Sequence, residues 1–559
     1  MFTSKWNQRR KSYDFVVVGS GYGGAITAAR LATAAPGGRK LSVCILERGP
    51  ERWAPDRRFP DTLEAVAAEF RTDLNPDGLF DLRTYRDISV LKGCGLGGTS
   101  LINANVAATP DPETFAQAGW PRLLSWDYLR PFYARARQTL GAGPDPRAWH
   151  FPKVQAMDRR ARELGTAAVP LDLAINFTGN GHNAHGVPQR PCIACGDCST
   201  GCNHLSKGAL FMNYLPMARN AGAQIFTTTT VDRIEKMPNG SWRVHGNNRE
   251  ASMIGMPFTL DAANVILGAG SINSTEILLR SAAHGLSVSP EVGRRFSSNG
   301  DFFGIAFNGD VRTMISGIAN RHEAEAVENA PGPAIVSGIH CNTTRPLDER
   351  FIVEDFSIPS AYVAAAQRMF PTLQREDSDA GDEPDEQRRI DLDVYAGDTH
   401  DLDGALNHTM LYLVMGHDNA RGRIVLDSSG TAQVIFDDAG RQRLYTMMDE
   451  ELRQHARTLG ASYIANPMWS FLQIRHLVTA HPIGGCPVGE DYEHGAVDAF
   501  GRVFSGDGRI HDGLLVADGA ILPRSLGVNP FLTISAMAEQ IAERKVRELG
   551  GEPYAASPA

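Results

Sequence analysis

Near the start of the chain, apolar, glycine-rich and helix-forming segments follow one another in a definite order. Residues 15–18 are an apolar run that predicts a buried strand, residues 19–24 are rich in glycine, and residues 25–35 are helix formers. A second apolar run, residues 41–46, predicts another strand and ends at the acidic Glu47. Strand, glycine turn, helix, strand and carboxylate together predict a unit that binds a dinucleotide.

Individual positions in this unit have physical roles in such binding. Gly19 permits the tight turn, Gly21 lets the backbone approach a pyrophosphate, and Gly24 lets the helix pack on the strand. The free N–H groups at the helix start attract the phosphates, and Glu47 is placed to bind the ribose hydroxyls. An ordinary strand–turn–helix is the alternative, and the unit by itself does not distinguish FAD from NAD.

Other apolar segments next to glycine-rich turns occur later in the chain. Residues 90–106 are rich in glycine between two apolar stretches, which indicates backbone pressed against a flat or charged ligand. Residues 264–270 predict a second strand with a glycine turn, and residues 514–519 predict a strand that ends at Asp518-Gly519. Nucleotide-type segments at the start, middle and end imply a discontinuous domain with a second domain inserted into it.

The predicted domain limits follow from where these segments lie. A chain of 559 residues is long enough to form more than one hydrophobic core. We assign residues 1–110, 205–301 and 471–559 to the nucleotide-binding domain, residues 111–204 to a helical and cysteine-rich connection, and residues 302–470 to a substrate-binding domain.

Charge and composition narrow the classes of function. The net charge of −9 argues against a nucleic-acid partner. No apolar stretch approaches the length of a membrane span, and the first apolar residues belong to a strand rather than to a signal peptide. Four of the eight cysteines crowd into eleven residues, which is not a distributed disulfide framework. We therefore expect a cytoplasmic protein.

Four spaced motifs make the chain resemble the glucose–methanol–choline family of FAD-dependent oxidoreductases. The glycine unit ends in Glu47-Arg48-Gly49, and GCGLGGTSLINANV at 93–106 is similar to the first family signature. GAGSINSTEILLRS at 268–281 is similar to the second signature, and ADGAILP with GVNPFLTISAMAE at 517–539 is similar to the C-terminal flavin segment. Within the family, HPIGGCPVG, VNPF and LYLVMGHDN most resemble the cholesterol oxidase branch.

The resemblance implies an α/β fold, with a Rossmann-like FAD-binding domain and a substrate domain whose antiparallel sheet covers the flavin. It also implies the chemistry: an alcohol loses a hydride to flavin N5, and its hydroxyl proton goes to a base or to solvent. The expected substrate is a bulky apolar alcohol such as a sterol-like molecule, with oxygen or another electron acceptor. The alternatives are a dehydrogenase that passes electrons through an iron–sulfur cluster and a non-redox FAD-containing lyase.

Two residues are candidates for catalysis. His481 lies in a motif similar to the family's catalytic one, and a histidine can accept a proton near neutral pH. The alternative, a buried structural histidine, is what we expect for His476. Asn529 precedes Pro530 and a predicted helix, so it is a helix N-cap, a hydrogen-bonding partner of substrate or flavin, or both.

The candidate cofactor-binding residues come from these motifs and from segments that resemble flavin contacts of cholesterol oxidases. They are Gly19, Gly21, Tyr22, Gly23, Gly24, Glu47, Gly93, Gly97, Gly98, Thr99, Asn103, Asn105, Val231, Gly270, Asn299, Gly300, Asp518, Gly519, Asn529, Pro530 and Phe531. Val231 would contact adenine through its backbone, and a plain strand valine is the alternative.

The cysteine cluster has its own spacing. Cys192, Cys195, Cys198 and Cys202 follow the pattern C-x2-C-x2-C-x3-C, which matches the run that binds iron–sulfur clusters in bacterial ferredoxins. Three interpretations are open: an iron–sulfur cluster, a zinc site, or cysteines with packing or disulfide roles.

One stretch departs from the cholesterol oxidase pattern. Those relatives carry a glutamate just before the strand that corresponds to residues 411–413, and this glutamate moves a steroid double bond. Residues 404–410 of this chain contain no carboxylate. The departure removes the expected base for isomerisation and puts a sterol substrate in doubt.

Overall fold

The structure is a computed structural model that describes residues 2–52, 58–250, 252, 254–319, 326–376, 383–395 and 401–552. The helices of these residues are α1 Tyr22–Thr33, α2 Leu63–Ala68, α3 Trp126–Leu140, α4 Pro152–Glu163, α5 Tyr214–Asn220, α6 Ser271–Ala283, α7 Ser360–Met369, α8 Glu383–Tyr395, α9 Arg443–Thr458, α10 Pro467–Ser470 and α11 Phe531–Glu548. Among these described helices, none combines the length and apolar character needed to cross a membrane.

The strands of the described residues build sheets of unequal size. They are β1 Ser12–Val18, β2 Val43–Leu46, β3 Phe80–Thr84, β4 Ile88–Gly93, β5 Val169–Pro170, β6 Gly181–His182, β7 Pro188–Gln189, β8 Gln224–Phe226, β9 Thr229–Lys236, β10 Trp242–Asn248, β11 Met256–Leu267, β12 Phe302–Phe307, β13 Ser337–Cys341, β14 Phe351–Phe356, β15 Met410–Gly416, β16 Arg423–Leu426, β17 Ala432–Ile435, β18 Ser462–Ile464, β19 Leu477–Thr479, β20 Arg502–Phe504 and β21 Ile510–Val516.

The largest sheet joins strands from the start, middle and end of the chain. Its order is β20-β21-β11-β1-β2-β8, with β10 and β9 added beside β11. The central pairings are parallel, and their register places Val18 beside Leu46 and Leu267, and Leu267 beside Val516. The carboxyl ends of four strands therefore meet at one edge, where ligands bind in open α/β sheets.

The second large sheet runs in the order β18-β12-β15-β14-β13-β5. Its pairings are antiparallel, and they place Glu354 of β14 opposite Leu413 of β15 and Gly338 of β13. The two sheets confirm the predicted α/β fold with an antiparallel second sheet. Strand β5 lies within the predicted connection, residues 111–204, and it joins this sheet. The domain limits themselves stay a prediction.

A small third sheet brings two motifs together. Strand β4 leads into the glycine-rich segment at 93–106, and β19 leads into His481. These two strands pair in parallel, with Thr479 beside Val90. Because parallel strands end on the same side, the first signature and His481 reach the same region although nearly four hundred residues separate them.

Glycines allow the backbone segments at the sheet edge to touch. A Cβ atom added at Gly24 would lie 2.1 Å from the carbonyl oxygen of Gly19, and one at Gly23 would lie 2.2 Å from that of Ala517. A Cβ atom at Gly268 would lie 2.7 Å from the Cα of Gly24. Three turns therefore pack backbone against backbone, with no room for a side chain between them.

A buried ion pair connects α4 to the second sheet. Lys153 Nζ lies 3.0 Å from Asp355 Oδ1, and both side chains are inaccessible to solvent. Lys153 also donates to the carbonyl oxygen of Pro333 at 2.6 Å, while Asp355 accepts from the backbone N–H groups of Val336 and Ser337. A buried charge pair is tolerated when further hydrogen bonds satisfy both groups, as they do here.

We expect Gly24→Ala to destabilise the protein and to weaken cofactor retention. The added methyl group cannot fit beside Gly19, and such overpacking costs about 1–3 kcal/mol or more. Thermal unfolding and the amount of cofactor that copurifies measure the effect. Gly143→Ala is the matched control because its Cβ would meet nothing within 4 Å. Equal midpoints for the two variants would contradict the packing argument.

Candidate active site

A cavity of about 600 Å³ opens where the carboxyl ends of the parallel strands face the second sheet. Ile335, Phe356 and Leu413 line it from the side of the second sheet. Most of the predicted cofactor-binding residues also line it: Gly19, Gly21, Tyr22, Gly23, Glu47, Gly93, Gly98, Thr99, Asn103, Asn105, Val231, Gly270, Asp518, Gly519, Asn529, Pro530 and Phe531. The structure therefore gathers motifs from the whole chain around one cleft.

Four predicted residues do not line the cleft. Gly24 packs against Gly19, as expected from its place in the helix, and the N–H of Gly97 donates to Ser20 Oγ at 2.9 Å. Asn299 donates from Nδ2 to the carbonyl oxygen of Val528 at 2.8 Å and accepts at Oδ1 from the N–H of Leu526. It thus holds the segment that leads to Asn529. A Cβ at Gly300 would lie 2.4 Å from the carbonyl oxygen of Gly416, so close packing explains that glycine.

The carboxylate of Glu47 is held by the turns around it. Its Oε2 accepts from the N–H of Ser20 at 3.0 Å and from Ser20 Oγ at 2.6 Å, and its Oε1 accepts from the N–H of Gly49 at 2.8 Å. Burial raises the pKa of the Glu47 carboxyl. The side chain is fixed at the end of β2, next to the start of α1, where it was predicted to bind ribose hydroxyls.

Unpartnered polar atoms show that the cleft is made for a polar ligand. Within the described residues, Asn103 Oδ1, Asn105 Oδ1 and Asn529 Oδ1 are buried and have no hydrogen-bond partner. Buried polar atoms without a partner are uncommon in native proteins and need an explanation. A Cβ at Gly98 would lie 3.0 Å from the Cα of Gly21, so the first signature closes tightly over the start of α1. These residues fit a dinucleotide.

A cluster of cations at the cleft was missed by sequence reasoning. Asp81 lies 2.8 Å from Arg48 Nη2, 3.4 Å from Arg83 Nε and 3.4 Å from Lys92 Nζ. The three cations line the cleft, and burial lowers the pKa of the Lys92 ammonium to about 7. Arg48 and Arg83 alone outnumber the single carboxylate, so positive charge is left for an anionic ligand such as a pyrophosphate whether or not Lys92 carries a proton. The position of Lys92 directly before Gly93 was the available signal.

His481 is oriented by a carboxylate. Its Nδ1 lies 2.8 Å from Asp301 Oδ1. Asp301 Oδ2 accepts from Thr479 Oγ1 at 2.8 Å and from the N–H of Ala480 at 2.9 Å. Because Nδ1 donates to Asp301, the other ring nitrogen, Nε2, remains as an acceptor for a group in the cleft. His476, by contrast, is buried against Ser89 Oγ at 2.9 Å and does not line the cleft.

Asn529 does not cap the helix that follows it. Helix α11 begins at Phe531, its N-cap is Pro530, and no side chain caps it. The amide of Asn529 instead contacts the carboxyl of Glu354, with 3.3 Å between Nδ2 and Oε2. Asn529 therefore acts as a partner within the cleft, and the helix-cap interpretation is wrong.

Glu354 is a carboxyl that the sequence interpretation did not place here. Residues 404–410 contribute no carboxylate, as expected, but the neighbouring strand β14 does. Burial raises the pKa of the Glu354 carboxyl well above its usual value, and Asp355 and Asp301 raise it further. The only signal was a pair of acids, Glu354 and Asp355, inside an apolar strand.

The four clustered cysteines do not form a metal site in this structure. Among the described residues, no group of three or more His, Cys, Asp or Glu side chains is arranged to hold a metal ion. All four thiols are free; the sulfur of Cys192 accepts from the N–H of Ala194, and that of Cys202 from the N–H of Ser206. The prediction of an iron–sulfur cluster therefore finds no support, and packing roles fit the contacts.

Comparison with known proteins defines the class. Residues 13–299 and 421–538 match the two parts of the GMC oxidoreductase family. The chain therefore belongs to this family of FAD-dependent oxidoreductases that act on alcohols. The match confirms the resemblance inferred from the motifs.

Individual relatives have low sequence identity to this chain. A cholesterol oxidase of Mycobacterium tuberculosis is 26% identical, over 98% of this chain and 94% of its own length. A long-chain-alcohol oxidase of Arabidopsis thaliana is 24% identical, over 97% of this chain and 68% of its own. A variant of formate oxidase from Aspergillus oryzae has a similar fold, with a TM-score of 0.65 and 15% identity over 96% of this chain and 99% of its own.

We expect Glu47→Ala to weaken FAD binding about 10- to 100-fold, because hydrogen bonds to a charged group are lost. Titration of the apoprotein with FAD, followed by flavin fluorescence, measures the affinity. Glu64→Ala, at an exposed position of α2, is the control and should leave the affinity unchanged. Unchanged binding by the Glu47 variant would remove this residue from the cofactor site.

Proposed function

We propose that this protein oxidises the hydroxyl group of a bulky, apolar alcohol. The observation that supports this most strongly is the placement of His481, backed by Asp301, in a cleft that the apolar side chains Phe356 and Leu413 cover. FAD, held by the residues that line the cleft, would supply the acceptor for the hydride of the alcohol carbon. The residues of the chain then have to bind the alcohol, orient it and take its proton.

His481 is the proposed acceptor of the hydroxyl proton. His481 lines the cleft, and because Nδ1 donates to Asp301 at 2.8 Å, Nε2 is left as the acceptor. The carboxylate of Asp301 stabilises the imidazolium that forms when the proton arrives, and it fixes the ring orientation. Asn529 is the second catalytic candidate because its amide lies in the same cleft with an unpartnered oxygen.

The lining of the cleft supports an apolar substrate. Ile102, Val106, Ile335, Phe356 and Leu413 all contribute to the wall. Two relatives are named for oxidation of cholesterol and of long-chain alcohols. A sterol-like or long-chain alcohol therefore fits the site better than a sugar, whose hydroxyl groups would each need a polar partner.

An anaerobic screen tests the proposed reaction. Sterols, long-chain alcohols, terpenoid alcohols and sugars are mixed with the FAD-loaded protein, and bleaching of the flavin absorption is followed. We expect bleaching by an apolar alcohol and recovery of the absorption with oxygen, since the relatives are named as oxidases. Recovery only with dyes would indicate a dehydrogenase, and turnover without bleaching would favour a lyase.

Replacement of His481 tests the proton acceptor. We expect His481→Ala to slow flavin reduction by about 10²- to 10⁴-fold, the usual contribution of a positioned acid or base. Asp301→Asn should slow it as well, because the imidazolium loses the negative charge of its partner at Nδ1. His476→Gln is the control, since His476 lies outside the cleft. Reduction at the wild-type rate in His481→Ala would overturn the assignment.

The cysteine cluster gives a further prediction. Because the described thiols form no metal site, we expect the purified protein to contain flavin but neither iron nor acid-labile sulfide. Cys192→Ser should then reduce and reoxidise its flavin as the wild type does. Stoichiometric iron in anaerobically purified protein, lost in this variant, would restore the interpretation as a dehydrogenase with a cluster.

A further inference from the structure

Glu354 lies on the face of β14 that is turned to the cleft. It is inaccessible to solvent. Phe356, two residues further along the strand, and Leu413, directly opposite Glu354, both line the cavity. Since side chains alternate between the faces of a strand, Glu354 shares this face, while Asp355 points to the other.

The two neighbouring acids have very different surroundings. Asp355 has Lys153 at 3.0 Å and accepts hydrogen bonds from two backbone N–H groups and from Ser337 Oγ. Among the described residues, the carboxyl of Glu354 has one hydrogen-bond partner, Asn529 Nδ2 at 3.3 Å from Oε2, and its Oε1 has none. A buried charged carboxylate needs such partners, and the surroundings of Glu354 do not supply them.

The charged groups around Glu354 favour its neutral form. Asp355 on its own strand and Asp301 beside His481 are the titratable groups that act on it, and both are acids. Burial together with these acids raises the pKa of the Glu354 carboxyl. The 3.3 Å contact with Asn529 is also long, because hydrogen bonds from N–H groups to ionised carboxylates are usually about 2.7–2.9 Å.

A neutral acid changes which end of the Asn529 amide faces the substrate. An ionised Glu354 only accepts hydrogen bonds and so selects the NH₂ group of Asn529. A neutral Glu354 can donate its O–H to Oδ1 of Asn529, and the two ends of an amide have nearly the same shape. This arrangement gives Oδ1 of Asn529 a partner, leaves Oε1 of Glu354 as an uncharged carbonyl oxygen, and turns the NH₂ group toward the cleft.

We propose that Glu354 is a positioning residue that, as a neutral acid, donates to Asn529 and turns the Asn529 NH₂ group toward the substrate oxygen. This inference rests on the proposed alcohol oxidation. An N–H donor stabilises the negative charge that develops on the substrate oxygen as its proton leaves for His481, whereas a carbonyl oxygen or an ionised carboxylate would repel that charge. Glu354 thus acts through Asn529 and does not itself touch the substrate.

Glu354→Gln and Glu354→Leu test the proposal. Glutamine keeps a donor for Asn529 at every pH, whereas leucine removes it. We expect wild-type flavin reduction to slow at alkaline pH, where Glu354 ionises, and Glu354→Gln to lose that decline while keeping the wild-type rate at lower pH. Glu354→Leu should be about tenfold slower than wild type at lower pH, as expected for one lost hydrogen bond, and should show no alkaline decline. A purely structural role would not remove the pH dependence in the glutamine variant.

Infrared spectroscopy of the apoprotein provides a test that does not depend on turnover. Wild type and the control Glu163→Gln, at an exposed position of α4, should show the carbonyl band of a buried protonated carboxyl group. Glu354→Gln should lack that band. Loss of the band only in Glu354→Gln, without bleaching by any alcohol, would uphold the protonation and refute the reaction. Absence of the band from wild type, or the same pH profile in wild type and Glu354→Gln, would overturn the proposal.

Discussion

The active cleft exists because three turns of the backbone touch without side chains between them. The turn at 19–24, the turn at 268–270 and the strand end at 517–519 lie more than two hundred residues apart in sequence, yet a Cβ atom at Gly19, Gly23 or Gly268 would lie within 3 Å of another of these segments. This contact fixes the edge of the parallel sheet. The start of α1, the carboxylate of Glu47 and the C-terminal loop with Asn529 take their positions from that edge.

The parts of the site that the sequence predicted are those whose residues lie close together in the chain. The first unit ends at Glu47 only about thirty residues after Gly19, and each signature is a single continuous segment. Strand, turn and helix can be inferred from such local patterns, and most of the residues chosen from them do line the cleft. The predicted roles of those residues in FAD binding and catalysis remain to be measured.

The parts that were missed depend on contacts between distant segments. Asp301 meets His481 across 180 residues, and Glu354 meets Asn529 across 175. Strand register and sheet order create these pairs, and no local pattern contains them. Of the alternatives for Asn529, the helix cap was wrong for the same reason: its side chain contacts Glu354 on the second sheet and does not cap α11.

The ion pair between Lys153 and Asp355 also helps to fix which acid of β14 lies next to Asn529. Adjacent residues of a strand point to opposite faces, so a slip of β14 by one position would undo the placement of both acids. In one direction Asp355 would lie beside Asn529 and Phe356 would face Lys153; in the other, Glu354 would face Lys153 and Val353 would lie beside Asn529. Lys153 is held by hydrogen bonds to backbone carbonyl oxygens on the other side of the sheet. It therefore favours the one register of β14 that places Asp355 against it. Lys153, which does not contact the substrate, thereby helps to determine that Glu354 and not Asp355 lies next to Asn529.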